Sequence, residues 1–180
     1  MKSSTVLKII GIALVAIILG TMYISYLNPK SPRDNTEFNK GSIIISVDYS
    51  RPYKKERLIF GDSLEGALVP YGQYWRLGAN LATTIQINES ITFAKRELES
   101  GKYRMYATPY KNYWKISINS EAGAFGYFEP DHKKDLFSIN ILSTQVINSL
   151  EQLTIDFTVD DDQTEMRIRW DNTQVLIPIN

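Results

Sequence analysis

Gln152–Ile179, QLTIDFTVDDDQTEMRIRWDNTQVLIPI, is the stretch that decides the fold. Leu153, Ile155, Phe157 and Val159 alternate with Gln152, Thr154, Asp156 and Thr158. Met166, Ile168 and Trp170 alternate with Glu165, Arg167 and Arg169, and Val175, Ile177 and Ile179 close the run. A period of two puts the apolar side chains of a strand on one face and leaves the other to water. That is the pattern of an antiparallel sheet with one wet side. Turn residues at Asp160–Gln163 and Asp171–Thr173 separate the runs. Pro178 has no N–H to give a ladder, which predicts an edge strand or a ladder end.

The same alternation extends upstream. Ile43, Ile45, Val47 and Tyr49 share a face, as do Thr83, Ile85 and Ile87, and further on Phe137, Ile139 and Ile141. Tyr103–Thr108 and Tyr113–Asn119 predict a hairpin around Pro109. One helix is expected among the strands at Thr144–Gln152, where Val146, Ile147 and Leu150 have helical spacing. About nine short strands at this spacing predict an all-β domain, an antiparallel β-sandwich or jelly roll.

A different pattern precedes the strands. Ile9–Leu27, IIGIALVAIILGTMYISYL, carries no charge. As a helix its length of about 28 Å, at about 1.5 Å per residue, nearly matches a hydrocarbon core of about 30 Å. A cleaved signal peptide is the alternative, with Lys2 and Lys8 as its basic start. Such a peptide ends in small residues, whereas Met22, Tyr23, Tyr26 and Leu27 are bulky. The tyrosines suit a membrane interface, so the expectation is a single N-terminal transmembrane helix acting as a signal anchor. Positive charge is balanced across it, Lys2 and Lys8 against Lys30, Arg33 and Lys40. The short basic N-terminus sets the expected orientation, with the domain outside the cytoplasm of a bacterial cell. The division is then 1–8 basic N-terminus, 9–27 anchor, 28–40 polar tether and 41–180 β-sandwich domain.

Composition removes several functions. The chain has no Cys, so disulfides, thiol catalysis and Cys-ligated zinc are excluded. From Gly41 onward 15 basic residues face 18 acidic ones with the signs interspersed. That is neither a nucleic-acid footprint nor a polybasic lipid patch. No P-loop, G-x-G-x-x-G or G-x-S-x-G motif occurs, and His132 is the only histidine available to a Ser–His–Asp arrangement.

The segment Leu68–Thr84, LVPYGQYWRLGANLATT, has a distinctive W-R-x-G-A-N core. With Tyr49–Pro52 (YSRP), Ile59–Gly61 (IFG), Ser100–Tyr103 (SGKY), Tyr113–Asn119 (YWKISIN) and the hairpin around Trp170–Asn172, it resembles the 2911 family of domains of unknown function. The resemblance covers nearly all of Ser42–Ile179. It implies a secreted or envelope-attached domain and brings no assigned activity, and therefore no catalytic residue. Asp62–Gly66 (DSLEG) is an insertion relative to the family pattern.

Four residues are candidates for ligand binding. Trp75, Arg76 and Asn80 combine a stacking face, a planar cationic fork and an amide, which suits a sugar or a carboxylate. Tyr127 joins them from the loop Glu121–Asp135, the longest piece without strand pattern. The competing reading is structural, with Arg76 held by an acid or backbone carbonyls at a strand end and Asn80 tied to loop backbone. Glu129, Asp131, His132 and Asp135 could ligate a metal, but the spacing matches no known site and His132 beside two lysines reads as solvated. Asp160–Asp162 with Glu165 lacks the pattern of a calcium loop. No metal and no cofactor is expected.

The expected function is therefore non-catalytic binding of a carbohydrate or protein ligand at the cell envelope. The rivals are an envelope hydrolase acting on glycosidic or ester bonds through paired carboxylates, and a structural part of an envelope complex.

Overall fold

The computed structural model describes residues 3–27, 29–123, 125–160 and 163–180, with helix side chains described at 8–24 and 27. A helix, α1 (Ser3–Leu27), precedes the sheet. The strands that follow are β1 (Arg33–Lys40), β2 (Ile43–Ser50), β3 (Phe60–Gly61), β4 (Val69–Pro70), β5 (Thr83–Ile87) and β6 (Ile91–Phe93). After them come β7 (Arg96–Leu98), β8 (Gly101–Pro109), β9 (Tyr113–Asn119), β10 (Asp135–Asp160) and β11 (Gln163–Ile179). Nine strands form one ladder in the order β1-β2-β5-β8-β9-β10-β11-β6-β7, while β3 and β4 pair in parallel beside it. Every pairing resolved within the large ladder is antiparallel.

β10 bends this ladder into a sandwich-like fold. Its first part pairs with β9 from Asp135 to Leu142, and its second part pairs with β11 from Ser143 to Asp160. The first ladder end then returns onto β10. The Tyr49 hydroxyl donates to the Ile155 carbonyl at 3.3 Å and accepts from the Ile155 amide at 3.0 Å. Lys54 N–H donates to Glu151 O at 2.6 Å, and the Phe38 and Phe157 rings stack at 5.3 Å. The apolar faces of both ladder halves thereby meet in one core, from Ile45, Val47, Ile85 and Ile116 to Ile155, Ile168, Trp170 and Ile177, all 1% exposed or less. Burial of these alternating residues is the driving force, about 25 cal/mol per Å² of apolar surface.

Four expectations change. The helix expected at Thr144–Gln152 is part of β10. The apolar residues there sit at register shifts, between Gln145 and Leu150 and between Leu150 and Thr154, which mimic helical spacing by interrupting the period of two. Ile147 points outward and is 98% exposed. Asp171–Thr173 is not a chain reversal but a kink inside β11, with Asp171 at φ 53°. The second half of the polar stretch 28–40 is strand β1, paired with β2 from Arg33 opposite Ser50 to Lys40 opposite Ile43. It reads as tether because its partners are polar: Asp34 meets Arg51 at 3.1 Å and Asn35 donates to Ser46 at 2.8 Å.

The fourth concerns 9–27. This run is helical, inside α1, and its described apolar side chains lie exposed, Ile12 at 71%. Among the described residues no helix is long and apolar enough to cross a membrane, so the expected transmembrane helix stands only as an N-terminal helix.

Candidate functional site

The W-R-x-G-A-N segment is a tight loop fastened at both ends. Trp75 and Ala107 exchange backbone hydrogen bonds, each 2.8 Å, which docks the loop on β8. Leu77 is buried with φ 53°, a conformation that costs a β-carbon residue energy and persists only when its surroundings impose it. Here Thr83 donates its hydroxyl to the Leu77 carbonyl at 2.9 Å. Gly78 follows at φ 159°, and a Cβ there would stand 2.8 Å from the Ser50 carbonyl, so only glycine lets the loop lie against the end of β2.

This loop separates the sequence candidates. Trp75 points inward, 6% exposed, against Trp114 at 5.3 Å, Phe60 at 5.5 Å and Trp170 at 6.0 Å. It is core, with one edge in the wall of a groove. Arg76 turns outward, half-buried. Its Nη1 donates to the Asn80 carbonyl at 3.3 Å, and its guanidinium carbon lies 5.6 Å from the centre of the Tyr127 ring. Arg76 forms no ion pair among the described residues, so the acid considered for it is not its partner. Asn80 is exposed and donates to the Ser31 carbonyl at 3.5 Å. The structure thus brings Arg76, Asn80 and Tyr127 together at the surface.

They border a groove of about 690 Å³. Lys30, Lys55, Arg57 and Arg76 line it, with Tyr53, Tyr74 and the edges of Trp75 and Trp170, and no Asp or Glu belongs to the lining. None of the four cations forms an ion pair among the described residues. Arg57 is fixed in place, donating Nε to the Lys54 carbonyl at 2.9 Å and Nη2 to the Tyr53 carbonyl. Behind Tyr74 sits a fifth cation. Arg104, on β8, is 1% exposed; its Nη2 donates to the Tyr74 hydroxyl and, at 2.5 Å, to the Phe128 carbonyl. Among the described residues its Nε has no partner and no carboxylate pairs with it. A buried guanidinium without a paired acid acts through a low-dielectric surround, where its field is weakened less than in water. The Tyr74 hydroxyl also donates to the Gly126 carbonyl at 3.0 Å, tying the loop that carries Tyr127 to the groove floor.

Lys30, Tyr53, Lys55, Arg57, Tyr74 and Arg104 escape a linear reading. They come from four separated segments, and only Arg104 leaves a trace, as a charge inside the strand YRMYAT.

His132 lies elsewhere and is more constrained than its lysine neighbours suggest. Its Nδ1 is 2.9 Å from the Tyr106 hydroxyl and 3.4 Å from Asp135, and its Nε2 is 3.2 Å from Glu129. Tyr106 donates to Asp135 at 2.7 Å, and Asn119 donates to the same carboxylate at 2.8 Å. Burial pushes the Tyr106 hydroxyl far above its ordinary pKa, and the Asp135 bond adds to this. Asp131 accepts from the Lys133 amide at 3.0 Å as a turn cap. Among the described residues no group of three or more His, Asp or Glu is arranged to hold a metal ion. Asp161 and Asp162 of the acidic turn lie outside the described residues.

A family model described as a protein of unknown function, DUF2911, matches residues 31–179. No curated protein and no solved structure matches the chain.

Proposed function

The chain belongs to the DUF2911 family, and we propose that it is a non-catalytic binding domain that holds an anionic ligand, an acidic carbohydrate of the cell envelope, in the groove at Arg76. The observation that carries this reading is the one-signed lining: Lys30, Lys55, Arg57 and Arg76 with no acid among them. Arg76 supplies a planar fork for a carboxylate, the tyrosines supply ring faces and Arg104 adds field from behind. Glycoside hydrolysis needs two carboxylates flanking the bond. This groove offers none, which supports binding over cleavage.

The proposal includes location. The apolar, outward-facing side chains of α1 support insertion into a membrane.

Calorimetric titration of the full chain with oligogalacturonate, and with a neutral oligosaccharide of equal length, tests the groove. The expected result is binding of the acidic sugar alone, weakened by salt. Arg76→Ala should lose about 10-fold or more in affinity, since a charge-assisted hydrogen bond is worth about 1.5–3 kcal/mol. Equal binding of the neutral sugar, or release of shorter sugars, would overturn the reading.

A further inference from the structure

The loop 121–135 carries an aromatic tip that stands in water. Phe125, Tyr127 and Phe128 are each more than half exposed, three large rings within four positions. Grouped apolar exposure of this kind marks an interaction site. The tip is also held rigidly. Gly126 lies so close to Leu81 that a Cβ would stand 2.7 Å from the Leu81 carbonyl carbon. The Gly126 carbonyl accepts from Tyr74 at 3.0 Å and the Phe128 carbonyl from Arg104 at 2.5 Å. Glu129, the acid next to the tip, is turned to His132 at 3.2 Å. We propose that this aromatic tip, together with Lys30 and Lys55, docks the domain on the anionic lipid surface of the membrane that holds α1.

Covalent reach selects the partner. The docking rests on the reading of α1 as an anchor under Proposed function, and it is independent of the sugar. Lys30 follows Leu27, the last residue of α1, by three positions, a reach of at most about 11 Å. The headgroup layer on one side of a bilayer is about 5–8 Å deep. An inserted α1 therefore keeps Lys30 at the headgroups or just above them. Lys30 and Ser31 are walls of the basic groove, and contacts run on from there to the tip. Asn80 donates to the Ser31 carbonyl at 3.5 Å, Arg76 donates to the Asn80 carbonyl at 3.3 Å, and the Arg76 guanidinium lies 5.6 Å from the centre of the Tyr127 ring. The tip thus belongs to the part of the domain that the anchor brings nearest to lipid.

Ring chemistry and charge fit that surface. A tyrosine at the headgroup level keeps its hydroxyl in water and its ring among lipid, and the two phenylalanines beside it take apolar surface out of water. Lys30 and Lys55 are exposed, and the groove they share has no acid in its lining. Lysines held this close to an anionic leaflet are attracted to it. Once α1 is inserted the contact is intramolecular, so a weak surface affinity suffices to hold it. A folded protein partner would have to fit between this face and a bilayer kept within about 11 Å of Lys30.

A chain without Cys accepts one fluorophore at a chosen place. The full chain is labelled with nitrobenzoxadiazole at Leu81→Cys beside the tip, at Ser42→Cys at the far end of β1, or at Leu14→Cys in α1. Each form is placed in nanodiscs of phosphatidylcholine with or without phosphatidylglycerol, and lipids bearing a nitroxide quench the labels they reach. An acyl-chain nitroxide is expected to quench the label at Leu14, which reports the anchor alone. A headgroup nitroxide is expected to quench the label at Leu81 roughly 3-fold or more above that at Ser42, which the eight residues of β1 carry about 26 Å away. The effect should be larger with phosphatidylglycerol than without. Phe125→Ser with Phe128→Ser should bring quenching at Leu81 down to the Ser42 level while oligogalacturonate binding is unchanged. Lys30→Gln with Lys55→Gln should remove the effect of phosphatidylglycerol. A quenched label at Leu14 with an unquenched one at Leu81 would overturn the docking and leave the anchor standing, whereas an unquenched label at Leu14 would overturn both. Quenching at Leu81 that survives the two serines, or that is the same without phosphatidylglycerol, would also overturn the docking. So would a label at Leu81 that changes only as the chain dimerises, which would make a second copy the occupant.

Discussion

Two arginines of this chain divide the work that one was expected to do. Arg104 is the buried one, and it has a tyrosine and a carbonyl for partners in place of an acid. Arg76 is half-buried, with a carbonyl and a ring face. Removing one partner of a buried charge pair costs about 3–5 kcal/mol, but Arg76 has no such partner to abandon. Its one hydrogen bond is long, at 3.3 Å, and faces solvent, and is worth on the order of 1 kcal/mol. Arg76→Ala should therefore keep its urea unfolding midpoint near that of the unmutated chain while losing the anionic ligand. A midpoint shift matching several kcal/mol would return Arg76 to a structural role.

Among the elements, β1 matters beyond its plain sequence. It covers the edge of β2, and its Phe38 stacks on Phe157 across the open side of the ladder. Asp34 also receives Arg51 at 3.1 Å. A chain begun at Gly41 would expose that edge with Ile43, Ile44 and Ile45, a template for pairing with other chains. We expect a chain begun at Ser31 to stay in the soluble fraction with a sheet-type circular dichroism spectrum, and one begun at Gly41 to aggregate. Equal solubility of the two would mean that β1 is dispensable. Asp171 shows a second element-scale device. Its positive φ kinks β11 beside the shifts in β10, and its carboxylate holds Lys54 at 2.5 Å and Ser149 at 2.7 Å. The bulged region is thereby fastened to the segment that leads into the basic groove.

For the whole molecule, closure of the ladder carries a pH signature. Tyr49 joins β2 to β10, and Tyr106 joins β8 to the turn at His132. Burial, the largest influence in each case, raises both hydroxyls above the ordinary tyrosine value of 10.0. The folded chain thus holds these protons more tightly than the unfolded one. Their stabilisation is fully present below the unfolded value and is lost as pH rises from there through the folded values. Unfolding free energy should fall above about pH 10, by up to about 1.4 kcal/mol per pH unit for each tyrosine still protonated in the fold. Urea midpoints between pH 9 and 12, with phenolate absorbance followed in parallel, check this. Tyr49→Phe and Tyr106→Phe should each flatten the decline. Phenolate signals from both residues at the ordinary value in the folded chain would contradict it.

The sequence by itself determined the fold class, because a period of two over Ile43–Tyr49, Leu153–Val159 and Met166–Trp170 has only one way to bury its apolar face. It also determined the helical start, since an uncharged run has no polar face to place along a strand, and it singled out the loop around Arg76 through a W-R-x-G-A-N pattern of distinctive residues. Strand β1 stayed hidden because an edge strand that pairs through polar side chains has no apolar period. The region Thr144–Gln152 misled because a register shift breaks the period of two. Only the tertiary structure decided the chemistry of the site. The one-signed charge of the groove is a property of residues from separate segments brought together by the returning ladder end, and Trp75 changed from ligand surface to core because its neighbours Phe60, Trp114 and Trp170 are distant in the chain. Alternation is a local consequence of backbone geometry and can be read along the chain; a binding site is a sum over side chains that the chain brings together only after it has folded.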